Sequence, residues 1–146
     1  PGPCSPTEAG VSNDLVTPKV LHCNSDNSRD RAYDWTGMAS GFLALKNQGL
    51  SYFVGTESDE SLSLMHIAGD RNVLGNAGQN CVPAQILNGV ITTLPPGIAD
   101  WENTIHGQAG NMVMGDGSAQ QLSVSSLRRH LQQTGDPNLS NCVLKP

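Results

Sequence analysis

Few residues in this 146-residue chain are equipped for chemistry, and they are scattered: four histidines, 13 carboxylates and the cysteines Cys4, Cys23, Cys81 and Cys142. His106 stands ten positions before Asp116, with His66 and Asp70 able to lie nearby in a sheet. A His–Asp pair is what a general base and its orienting partner require. The nucleophile would have to be a serine, yet the chain has no Gly-x-Ser-x-Gly elbow to present one. The favoured reading of His106 is therefore architectural, a hydrogen bond to the turn around Asp116 or to a backbone carbonyl. His22 and His130 read as ordinary polar positions.

Glu57, Asp59, Glu60 and Asp70 are the residues that would offer oxygens to calcium, the one metal this pattern suggests. The loop lacks the alternation and the Gly-then-Glu ending of an EF-hand, so a solvated acidic turn is the stronger reading. No CxxC pair and no Cys/His cluster has zinc-site spacing. An even number of widely spaced cysteines points instead to two disulfides and an oxidising compartment. Three connectivities are open, and local pairing, Cys4 with Cys23 and Cys81 with Cys142, is preferred. Trp35, Trp101, Tyr33 and Tyr52 would suit a sugar-binding platform, but isolated tryptophans in a small domain more often anchor a core.

The background composition narrows the classes. The net charge is −5, and no basic run exceeds Arg128-Arg129, which excludes a nucleic-acid surface. Only 14% of residues are charged, against the high charge of disordered chains. No stretch reaches the roughly 18 apolar residues of a membrane span. Pro1 in place of Met reads as a processed or truncated start. Gly 16 and Pro 9 indicate a loop-rich domain.

The elements that must position these residues follow from local pattern. Residues 1–17 read as an arm or linker, and 18–146 as one globular head. Pro18–Cys23 is β-prone, Gly37, Gly41 and Gly49 weaken any helix over 38–45, and Leu50–Val54 and Ser63–Ala68 are strand candidates. Gly69-Asp70-Arg71-Asn72 reads as a tight turn, and Val90–Leu94 as a strand stopped by Pro95-Pro96. Gly115-Asp116-Gly117 reverses a hairpin. Ser123 or Ser125 caps a helix with Val124, Leu127 and Leu131 on one face, stopped by Gly135 and Pro137. The fold class expected is α+β, with a small antiparallel sheet and a short C-terminal helix.

Several segments together resemble a known family. His106, nine residues and then Asp116-Gly117 match the prepilin-type processing-associated H-X9-DG domain of type II secretion and type IV pilin-like proteins. Thr17-Pro-Lys-Val-Leu21 before Cys23, Ser51-Tyr-Phe-Val-Gly55, Ala68-Gly-Asp-Arg-Asn72 and Asp116-Gly-Ser-Ala-Gln-Gln121 are similar to members from Verrucomicrobia-like bacteria, in order, over about residues 11–139. The resemblance implies a pilin-like head behind an N-terminal hydrophobic helix, which is absent from this sequence. Asn24-Ser25-Asp26 follows Cys23 where the family more often has Pro-Ser/Ala-Asp. Cys4, Cys81 and Cys142 have no place in the pattern. What it implies is a non-catalytic structural subunit of an extracellular pilus or pseudopilus in a Gram-negative-type envelope. Its partners would be copies of itself, a separate hydrophobic-helix pilin or other pseudopilins, and it would need no cofactor. His106, Asp116 and Gly117 would be its structural motif. The alternative is a secreted polysaccharide- or surface-binding module.

Overall fold

The computed structural model describes residues 12, 14–59, 61–78, 81 and 89–146. Strict alternation along β7 (Ala109–Met114) sets the plan: Gly110, Met112 and Met114 are buried while Asn111 and Val113 face outward. Such period-two burial packs one face of a sheet and leaves the other open. β7 turns back into β8 (Ala119–Ser123) through Gly115-Asp116-Gly117. The Gly117 amide donates to the Met114 carbonyl, and the Met114 amide to that of Ser118. Gly117 has φ +82, the glycine-favoring conformation of a three-residue hairpin loop.

Among the described residues, seven strands form one antiparallel sheet in the order β4 (Asn76–Ala77), β5 (Val90–Thr93), β9 (Val143–Lys145), β1 (Tyr52–Gly55), β2 (His66–Asp70), β7, β8. A two-stranded sheet pairs β3 (Val73–Leu74) with β6 (Asp100–Trp101). Helix α1 (Phe42–Leu45) is a single turn, and α2 (Val124–Leu131) begins where the Ser123 side chain accepts from the Ser126 amide. Leu127 and Leu131 of α2 join Phe53, Met112, Met114, Leu122, Val143, Val73, Trp101, Leu94 and Ala99 in the core. The α+β class with a mostly antiparallel sheet therefore holds.

Some local expectations are overturned. Pro18–Leu21 is a 3-10 helix, not a strand, because Thr17 caps the Lys19 amide and Pro18 opens the turn. Gly69 and Asp70 belong to β2, and only Arg71-Asn72 turn. Gly69 is required there by packing: a Cβ would sit 2.6 Å from the Phe53 ring. The C-terminal tail inserts between β5 and β1 as β9, a long-range pairing that local pattern does not announce. Cys81 and Cys142 are bridged as preferred. Cys23 carries a free thiol, and its expected partner Cys4 lies outside the described residues. Most of the expected arm also lies outside them. No described helix is long and apolar enough to cross a membrane.

Candidate functional site

Three segments far apart in sequence meet at one end of the β2–β7 pair. Cys23 follows the 3-10 helix, whose Leu21 carbonyl accepts from the Ser51 amide at the entrance to β1. The Asp26 amide then closes a turn on the Cys23 carbonyl. Asp70 ends β2, opposite Tyr52. His106 lies in the loop from β6 to β7, with φ +53, followed by Gly107 at φ +65. A positive φ is strained for a non-glycine residue and gathers at functional sites.

The His106 Nε2 atom is 3.3 Å from Cys23 Sγ and 3.6 Å from Asp70 Oδ2. Both neighbours face the same ring nitrogen. A Cys–His–Asp catalytic triad places its thiol and carboxylate on opposite nitrogens, so this geometry is convergent rather than relayed. The three ligand-type atoms lie within 4.8 Å of one another. Asp70 is 1% exposed, and the His106 side chain 23%.

The Ala68-Gly-Asp-Arg-Asn72 segment supplies the scaffold. Asp70 Oδ2 accepts from the Asn111 amide at 2.6 Å and its side chain at 2.9 Å. Arg71 grips Asp26 with two 2.6 Å bonds and also bonds Ser28, clamping the turn that bears Cys23. Burial works to raise the Asp26 pKa, but its bonds from Arg71 and Ser28 and the charge of Arg71 outweigh that and hold it at about 2. Buried Asn72 reaches the carbonyls of Glu102, Ile105 and Ala109, fixing the loop that carries His106. The Tyr52 phenol is pushed up by burial foremost, and further by its electrostatic neighbours Cys23, Asp70 and Asp26.

The other expected residues fall elsewhere. Asp116 is exposed at the hairpin tip, where it accepts from the Ser118 amide. β7 separates it from His106, about 20 Å for six residues of strand. This corrects the expected contact between His106 and the turn. Ser58 bonds the His66 carbonyl, which puts Glu57 and Asp59 at the opposite end of β2 from Asp70. Glu57 accepts from the Cys142 amide and Asp59 from that of Ser61. Glu60 lies outside the described residues, so the expected calcium set is not gathered among the other three. Trp101 is 2% exposed, its ring seated where a Gly110 Cβ would be 2.4 Å away. It is a core anchor, not part of a sugar platform. Trp35 meets Phe42 edge-on at 5.4 Å.

Asp70 lies beside His106 as the sequence reading allowed, but spacing missed Cys23, which is 83 residues from His106. No protein-family model, no curated protein and no solved structure matches the chain.

Proposed function

We propose that this chain is the globular head of a pilin- or pseudopilin-like subunit, packed into a filament at the cell surface. The observation that carries the reading is the outer face of the large sheet. Ile91, Leu144, Val54, Ala68, Val113 and Ala119 are cross-strand neighbours in one continuous row. Val54 is 42% and Val113 36% exposed. The row crosses six strands, about 24 Å at the usual strand spacing, the length of roughly 16 helical residues. Exposed apolar surface of this kind marks an interaction face. An apolar helix of the pilin type, or the flank of a second head, would bury it.

The Cys81–Cys142 bridge supports an oxidising, extracytoplasmic setting. The reading makes the head a packing unit without turnover, and its partners are copies of itself or other pseudopilins. The test is to express the native gene with its upstream sequence in a host carrying prepilin peptidase, followed by negative-stain microscopy. Filaments are expected, and Val54→Lys with Val113→Lys should abolish them while leaving a folded head. Monomeric heads in the parent, or binding to a polysaccharide panel through Tyr33 and Trp35, would overturn the assignment.

A further inference from the structure

We propose that Cys23, Asp70 and His106 form a binding site for a divalent metal of the zinc class. The site does not depend on filament assembly. Zinc takes thiolate sulfur at about 2.3 Å, imidazole nitrogen at about 2.0–2.1 Å and carboxylate oxygen at about 2.0–2.2 Å. At tetrahedral angles those lengths place sulfur about 3.5 Å from nitrogen, and nitrogen about 3.3 Å from oxygen. The structure has 3.3 Å and 3.6 Å. With Asp70 held in place, rotation of the Cys23 and His106 side chains would let one ion reach all three atoms, which lie within 4.8 Å of one another.

Donor chemistry selects the metal. A thiolate beside an imidazole suits zinc, cobalt and their neighbours, whereas calcium and magnesium call for oxygen sets. The supporting contacts are also those of a metal site, since ligating carboxylates are held by further hydrogen bonds. Asn111 provides two to Asp70. Solvent takes the fourth position, reached from the exposed side of His106. On binding, the Cys23 thiol gives its proton to solvent and the sulfur bonds the metal, with no change in oxidation state. The ion then ties the segment after the 3-10 helix to β2 and to the loop before β7.

Cobalt(II) titration of the metal-free, 146-residue chain, purified without reductant, tests this. One cobalt per chain is expected, with a near-ultraviolet thiolate-to-cobalt band. Excess zinc should remove the band, and calcium should leave it. Cys23→Ser should eliminate it, His106→Ala should weaken binding at least tenfold, and Asn111→Ala should weaken it ~10–100-fold. Circular dichroism and intact mass establish that each variant is folded and keeps its Cys81–Cys142 bridge. A wild-type chain without the band, a band that survives Cys23→Ser, or a native Cys4–Cys23 disulfide would overturn the proposal.

Discussion

Two histidines stand at opposite ends of the β2–β7 pair, and their surroundings differ in every respect that governs chemistry. His66 lies opposite Met114, beneath the hairpin turn. It is 1% exposed and meets the Phe53 ring edge-on at 6.0 Å. Burial foremost, then the charge of His130, pushes its pKa down to about 4. The same end is closed by the Cys81–Cys142 bridge, since Val143 pairs with Gly55. His106, at the other end, is half-buried, strained, and faces a free thiol and a carboxylate. One end buries its histidine and bridges its cysteines. The other keeps the same residue types pointed at one another.

The contrast can be broken first at the closed end. The bridge closes a separation of 61 residues, for which loop-closure entropy implies about 4 kcal/mol. Cys81→Ser with Cys142→Ser should lower unfolding free energy by about that amount in urea titrations, without altering the Cys23 thiol.

Acid should act next. A neutral histidine that is buried in the fold and protonates normally when unfolded favours unfolding as pH falls from about 6.5 to about 4. The folded-state pKa of about 4 corresponds to about 3 kcal/mol lost across that window. Asp26, held at about 2, contributes stability that persists above its unfolded value and disappears between about pH 4 and pH 2. His66→Phe should flatten the upper window in denaturation curves recorded against pH and leave the lower one.

At the open end, Arg71→Lys keeps the charge but loses the planar fork that grips Asp26. A loss of about 2 kcal/mol is expected, with faster alkylation of Cys23 as its turn loosens. The smallest effect belongs to the hairpin tip. Gly117→Ala forces a side chain into φ +82 at a cost of about 1 kcal/mol, read as a small shift in the thermal midpoint.

What could be read from the chain divides along the same line. The hairpin, Gly117 and the Ser123-capped helix with Leu127 and Leu131 inward were legible because each rests on neighbours a few residues away. β9 was not, because Leu144 pairs with Val54, about 90 residues earlier in the chain. The site was legible only in pieces. His106 and the Ala68–Asn72 segment stand out by resemblance, but the nine residues between His106 and Asp116 contain a whole strand. Their spacing therefore carries the two residues apart instead of together. Cys23 meets His106 where Arg71 clamps Asp26 and Asn72 fixes the loop, contacts between segments that spacing does not describe.

His106 faces Cys23 and Asp70 rather than Asp116. The most direct measurement is the rate of Cys23 alkylation, with and without zinc, in the parent chain, Asp116→Ala and His106→Ala. Zinc should shield Cys23 equally in the parent and Asp116→Ala, and fail to shield it in His106→Ala. Shielding that is lost in Asp116→Ala, or kept in His106→Ala, would contradict it.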